Sequence, residues 1–507
     1  MLRLILSVAA TYALLASAEP AAAQKSGDVP GFSAADVDRI ASERAKAPFQ
    51  PLPANLPEAW ANLGYDQYRD VRFRSERAIW RGEQRNFEVH LLPSGWLFKN
   101  PVDIHIIEDG KARILQPDTS LFEFGKLAGV PPPDKAMPFS GFRINGPINR
   151  PNLFDEIVVF QGASYFRAVS RGQAYGLSSR GLAIDTGEPK GEEFPAFRSF
   201  WIERPPRAAR ELTVHALLDS PSTTGAYTFR IAGGAPTTMD VDVRLYPRRD
   251  GMRVGVAPLT SMFLFSAIDR SRIRDFRRAV HDSDGLAIVN AAAEHIWRPL
   301  TNPRRLQISE FMVDGITGFG LIQRSRSFVG YGDLEANYER RPSAWIEPFG
   351  WWGKGSVHLV EIPSEEEIHD NIVAYWRPQD PYRKDEIYRF GYRLMWSDDK
   401  PVKTDKALVI GTSSGLASGS EGKNGAVRYA VDFSGPALGK GRDLPAARLT
   451  WSAGSAEPPV VQRNPHTGGV RVDFLLRPEG ADLIEMRLEL RRGDQTISEV
   501  WLSRWTK

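Results

Sequence analysis

Tyr227-Thr228-Phe229-Arg230-Ile231, the turn residues Gly233-Gly234, and Met239-Asp240-Val241-Asp242-Val243-Arg244-Leu245 decide the fold. Apolar and polar residues alternate with a period of two on both sides of the glycines. This predicts an antiparallel hairpin with one buried face. The same period recurs in Phe87-Glu88-Val89-His90-Leu91, followed by a Pro93-Ser94-Gly95 turn and Trp96-Leu97-Phe98, which read as a second hairpin. Repeated hairpins predict an all-β chain of antiparallel sandwiches and argue against the βαβ units of a nucleotide fold.

Helical periodicity is confined to the beginning of the chain. Ser33 can cap a helix, Asp36 follows three residues on, and Val37, Ile40 and Ala41 supply an apolar stripe before Pro48 ends it. A weaker helix is read over Pro57 to Leu63. A break falls at Trp396-Ser397-Asp398-Asp399-Lys400-Pro401, followed by a Gly/Ser-rich segment from Gly411 to Gly422. Beyond it, Val427-Arg428-Tyr429-Ala430-Val431, Leu449-Thr450-Trp451, Val470-Arg471-Val472-Asp473-Phe474 and Met486-Arg487-Leu488-Glu489-Leu490 have the spacing of a small immunoglobulin-like sandwich. The expected organisation is a leader over 1–23, a large β-sandwich domain over 24–398 and an immunoglobulin-like β-sandwich over 399–507.

At 507 residues the chain exceeds one ordinary core. Its net charge of +3, from 65 basic and 62 acidic residues scattered along the sequence, argues against a nucleic-acid partner. Met1-Leu2-Arg3, the apolar run from Leu4 to Ala16 and Ala21-Ala22-Ala23 read as a signal peptide cleaved near Ala23/Gln24. Without a twin-arginine pair, Sec export to the periplasm is the expectation. The absence of cysteine excludes thiol catalysis, zinc-thiolate sites and disulfides.

Gln161-Gly162-Ala163-Ser164-Tyr165-Phe166-Arg167 and Gln173-Ala174-Tyr175-Gly176-Leu177-Ser178-Ser179-Arg180-Gly181 collect rings, amides, hydroxyls and guanidinium groups. Such surfaces suit sugars, because rings cover C–H faces while polar groups take hydroxyls. No glycine run opens a helix with a following Lys-Ser or Lys-Thr, so a phosphate loop is not expected. The eight histidines show no metal-ligand spacing, and no Gly-x-Ser-x-Gly elbow occurs in strand-to-helix context. Carboxylates remain. In His281-Asp282-Ser283-Asp284-Gly285, Asp284 before glycine fits turn chemistry and leaves Asp282 free. In Glu366-Glu367-Ile368-His369-Asp370-Asn371-Ile372-Val373-Ala374-Tyr375-Trp376-Arg377, an acidic cluster enters an apolar strand. Asp185, Glu192, Glu193 and Glu203 add further candidates, and residue type alone does not choose a pair among them.

The chain from about residue 30 to 400 resembles the periplasmic glucan biosynthesis proteins G and D of Gram-negative bacteria. The resemblance rests on Gly162 to Arg167, Tyr175 to Ile184, Gly191-Glu192-Glu193-Phe194-Pro195, Phe200-Trp201-Ile202-Glu203-Arg204-Pro205, Ala216 to Pro221 and Ala257 to Phe265. His281 to Leu286, Trp297-Arg298-Pro299-Leu300, Arg341-Pro342-Ser343-Ala344-Trp345 and Asp370 to Trp376 complete it. It implies a galactose-mutarotase-like N-terminal sandwich and an inverting action on β-1,2-glucan, by cleavage or transglycosylation. Asp370 matches the general acid, Asp282 the general base, and Tyr338 a mobile-loop tyrosine that closes over substrate. Tyr165, Arg167, Tyr175, Arg180, Trp345 and Trp376 are the expected substrate contacts, with no metal and no cofactor. Ser178-Ser179-Arg180-Gly181 departs from the usual Ser-Ala-Arg-Gly, and the loop from Phe328 to Asn337 departs more. The expected chemistry keeps Asp370 protonated among Ile372, Tyr375 and Trp376, and Asp282 ionised in a solvated polar turn. The competing expectation is a non-catalytic protein that guides nascent glucan from an inner-membrane synthase.

Overall fold

The computed structural model describes residues 31–507 apart from 52–55, 126–136, 271–272, 399–402, 440 and 442; the leader read over 1–23 lies outside the described residues. Phe32–Lys507 forms one compact unit. The chain is all-β, built mainly on two large sheets.

The hairpin that decides the fold comprises Thr223–Ala232 and Thr237–Pro247, paired antiparallel with Tyr227 opposite Val243 and Ile231 opposite Met239. Met239, Val241, Val243 and Leu245 enter the core, whereas Asp242 and Arg244 point outward. Asp240 accepts from Arg393 of the neighbouring strand at 2.6 and 2.7 Å. This hairpin lies inside a sheet of fifteen strands.

A ten-stranded sheet covers the first. Its central members are Tyr165–Ala168, Ser178–Arg180, Val254–Ser261 and Ile372–Pro378, joined antiparallel in that order. The two layers meet through phenylalanines. Phe160 and Phe166 stand 5.2 and 5.3 Å, ring centre to ring centre, from Phe229 of the opposite sheet, and Phe142 stands 5.0 Å from Phe200. Edge-to-face rings of this kind add about 1 kcal/mol per pair beyond the area they bury.

The helix Ala34–Ala45 begins where expected, with the Ser33 N–H bonded to Asp36 Oδ2 at 2.9 Å, and buries Val37 and Ala41. The second hairpin is corrected. Glu88–Pro93 pairs with Phe139–Arg150, Glu88 opposite Asn145, and Trp96 to Phe98 form no strand. Gly95 and Trp96 adopt positive φ (155° and 51°), so the chain closes a tight Gly95–Phe98 turn and directs Trp96 against Tyr65 and Tyr68.

After residue 402, Leu408–Leu416, Val427–Ser434 and Gly469–Arg477 form a separate sheet with Ser455–Ala456 and Val460–Asn464. Ala446–Trp451, Leu483–Arg492 and Val500–Thr506 instead extend the fifteen-stranded sheet, through a parallel pairing of Val500 with Ile296. Between these layers, Val431, Phe474, Leu488 and Trp501 pack with Val289, Trp297 and Trp345 from earlier strands. No described helix is long and apolar enough to cross a membrane.

Candidate functional site

Tyr165 and Arg167 leave the outer face of the ten-stranded sheet, because their neighbours Phe166 and Ala168 occupy the inner face. Arg180 stands opposite Tyr165, its guanidinium carbon 4.9 Å from the tyrosine ring centre. Its Nε donates to Thr260 Oγ1 at 2.9 Å, and it pairs with Glu192, which also accepts from Thr186. The exposed ring of Phe194 lies 5.6 Å from the same guanidinium. Burial raises the Tyr165 hydroxyl pKa, the Arg180 charge works against this, and the Asp370 charge adds to it.

Asp370 ends the loop that enters Ile372–Pro378, and Arg167 donates to its Oδ2 at 3.4 Å. Asp282 follows the short strand Val280–His281, with its backbone N–H on the Met262 carbonyl at 2.8 Å. Its carboxylate is paired with Arg341. Burial is the largest influence and raises its pKa; Arg341 opposes that, and the neighbouring Asp370 charge reinforces it. Two carboxylates, each with its own arginine, thus stand close enough to influence one another.

Solvation runs opposite to the expected contrast. The Asp282 side chain is 5% exposed, whereas that of Asp370 is 27% exposed. The cover over Asp282 comes from the segment 328–341. Asp333 accepts the N–H groups of Glu335 and Ala336 at 2.8 Å each and shapes the turn. Asn337 takes a left-handed conformation (φ 49°), leading into the short 3-10 turn Tyr338–Arg340. Tyr338 is buried, with the Arg341 guanidinium carbon 4.2 Å from its ring centre. Gly176 makes room for this arginine, since a Cβ at that position would lie 2.8 Å from Arg341 Cβ.

Asp284 is structural, though across the fold instead of within its own turn: it accepts the N–H groups of the distant Arg324 and Ser325. Tyr175 donates to Glu156, which also pairs with Arg143 at 3.0 Å. Trp345 and Trp376 require correction as substrate contacts. They are 1% and 0% exposed and pack in hydrophobic clusters, leaving no ring face for a sugar. Among the described residues no group of three or more His, Asp or Glu is placed to hold a metal ion.

Three functional side chains escape a reading by residue type. Arg341 partners Asp282; Asn371 fixes the loop of Asp370; Arg277 bridges Asp275, Asp333 and Glu367 at 2.8, 3.0 and 2.7 Å. Arg341 and Asn371 each lie within a motif quoted from the sequence, and only the fold shows what they touch. On the outer side of Arg277 a cavity of about 610 Å³ is lined by Asn302, Ser364, Glu366 and Ile368.

Fold and side-chain contacts define an all-β sandwich protein in which two neighbouring carboxylates, each paired with an arginine, stand beside Tyr165 and Arg167. The match to the family model described as "Periplasmic glucan biosynthesis protein, MdoG" covers residues 32–505, and the chain belongs to that family. It is 46% identical over 506 residues to the "Glucans biosynthesis protein G" of Rhodopseudomonas palustris (strain BisA53), covering 99% of both chains. The protein of the same name from Bradyrhizobium diazoefficiens is 46% identical over 488 residues, 96% of each chain. That of Shewanella frigidimarina is 45% identical over 475 residues, 94% of this chain and 85% of the relative.

Proposed function

We propose that this protein acts in the periplasm on β-1,2-glucan chains, by inverting cleavage or transfer of the cut chain to a sugar hydroxyl. Asp370 is the general acid and Asp282 the general base. The observation that carries this reading is the closeness of Asp282 and Asp370, near enough for the Asp370 charge to raise the Asp282 pKa, each held by an arginine. Inversion needs one carboxyl group to protonate the departing oxygen and another to take the proton of the attacking hydroxyl. A buried carboxylate with a raised pKa is the stronger proton acceptor, and the Arg341 contact favours its ionised form, which suits Asp282 as base. Asp370 stands on the more open side, within reach of a bound chain. Tyr165, Arg167 and Phe194 supply ring faces and a donor beside the carboxylates, the buried Arg180 holds the Tyr165 and Phe194 rings, and Tyr338 covers the base. Because Asp282 is closed over by Arg341 and Tyr338, the segment 328–341 opens to admit the acceptor hydroxyl.

That same burial favours a second reading, in which the groove binds nascent glucan and hands it on from the membrane synthase without cutting it. Incubation with linear β-1,2-glucan, followed by thin-layer chromatography, separates the two. Shorter or cyclised products, lost in Asp370→Asn and Asp282→Asn, are expected. Unchanged glucan that nonetheless binds would establish the carrier reading instead.

A further inference from the structure

The far end of the strand that begins beside Asp370 carries a second polar pocket. Ile372–Pro378 rises about 3.3 Å per residue, so Arg377 lies on the order of 20 Å from Asp370. Here a cavity of about 300 Å³ has Arg253, Ser356, Arg377, Gln379, Glu310 and Asp380 as its polar lining. Ser356 stands directly opposite Arg377 on the neighbouring strand, so both face the same side of the sheet.

The two arginines of this pocket lack carboxylate partners. Neither Arg253 nor Arg377 forms an ion pair with a carboxylate of the described residues, although Glu310 and Asp380 line the same cavity. Arg377 donates one guanidinium N–H to the Tyr375 hydroxyl at 3.0 Å, and its Nε is buried with no acceptor. Beneath the floor, His358 is 1% exposed, its Nε2 lies 2.9 Å from Ser356 Oγ, and its Nδ1 has no hydrogen-bond partner. Glu310 approaches that Nδ1 no closer than 3.8 Å. Burial holds the imidazole neutral, with a pKa of about 3, and the Arg377 and Arg253 charges push in the same direction. A neutral His358 that donates from Nε2 to Ser356 leaves the serine O–H free to donate into the cavity.

Leaving a buried guanidinium N–H without an acceptor is costly, and a planar guanidinium matches the oxygens of a phosphate or carboxylate. We propose that this pocket binds a compact phosphate group, free or as a monoester, between the Arg253 and Arg377 guanidiniums, with the Ser356 hydroxyl as a third donor.

Titration of the full chain with inorganic phosphate at constant ionic strength, by calorimetry and by the imidazole ¹⁵N signals of His358, tests this. Saturable binding that perturbs His358 is expected. Arg377→Gln and Arg253→Gln are each expected to weaken it roughly tenfold, the loss of one charge-assisted contact. Ser356→Ala, the smaller change, guards against a folding defect and is expected to weaken binding less. Thermal midpoints of all three variants, and their turnover of β-1,2-glucan, should match those of the parent. Competition by methyl phosphate without retention on phosphatidylglycerol vesicles identifies a soluble ester; retention on the vesicles that Arg377→Gln abolishes identifies a lipid headgroup. Absence of saturable binding, or binding unchanged in both arginine variants, overturns the proposal.

Discussion

Asn371 grips the main chain of Phe263 with both ends of its side-chain amide: Oδ1 accepts the Phe263 N–H at 2.8 Å and Nδ2 donates to the Phe263 carbonyl at 3.0 Å. Nδ2 also donates to the Ile362 carbonyl at 3.0 Å. The preceding residue, Met262, accepts the backbone N–H of Asp282. One buried amide thus ties the loop of Asp370 to the strand against which Asp282 is registered. Asn371→Leu keeps the volume and leaves buried main-chain groups unpaired, at a cost of about 1 to 3 kcal/mol for each. Urea denaturation should show a loss of that order. For glucan turnover, kcat should fall by a larger factor than KM rises, because the spacing of the carboxylates is disturbed more than the side chains beside them. A variant with parental turnover would exclude this positioning role.

Arg341 lowers a pKa that burial raises, so its removal has a definite direction. In Arg341→Met the Asp282 carboxyl holds its proton to higher pH. The acidic limb of kcat/KM therefore moves upward in pH, and activity at low pH is lost first. Arg341→Lys keeps the charge without the flat guanidinium over Tyr338 and is expected to lie between the two. A limb that stays in place in Arg341→Met would mean that Asp282 does not set it.

Arg277 links the loop of Asp370 to the segment carrying Tyr338. Its three carboxylate partners are Asp275 on its own turn, Asp333 at the start of the covering segment, and Glu367 three residues before Asp370. Its side chain is 13% exposed, so these contacts are screened less than surface pairs. Arg277→Gln should release the cover while leaving the sheets intact. Limited proteolysis between 328 and 341 is expected to accelerate, with about 1 kcal/mol or less lost in global stability. Protection equal to that of the parent would show that Tyr331 and Tyr338 hold the segment by packing alone.

The hairpin around Gly233-Gly234 was readable because every second residue from Met239 to Leu245 enters the core. The partner of Glu88–Pro93 was not, since it lies about fifty residues away and its register is set by sheet packing. Counting by two from Ile372 would have placed Trp376 inward beside Ala374, so the alternation already opposed a sugar-stacking role. Asp282 was readable as the acid left free beside a structural Asp284, although Asp284 holds the distant Arg324 and Ser325 N–H groups and not its own turn. Its burial was not, because Tyr338 and Arg341 arrive from a distant loop.

His90 and His358 give the fold an acid sensitivity separable from that of its carboxylates. Burial lowers their pKa values to about 4 and about 3, from 6.5, and nearby arginines assist: Arg143 and Arg81 at His90, Arg377 and Arg253 at His358. Between the ordinary and lowered values the unfolded chain binds protons that the folded chain refuses, so stability falls as pH drops through this window. Each histidine contributes a slope of at most about 1.4 kcal/mol per pH unit. Asp275 and Asp333, whose pKa values are lowered from 3.8, act mainly below that value. Unfolding free energies measured from pH 7 to 4.5 should therefore decline in the parent, and decline less steeply in His358→Gln and in His90→Gln. Parallel profiles in parent and variants would show that both imidazoles are already protonated in the folded chain.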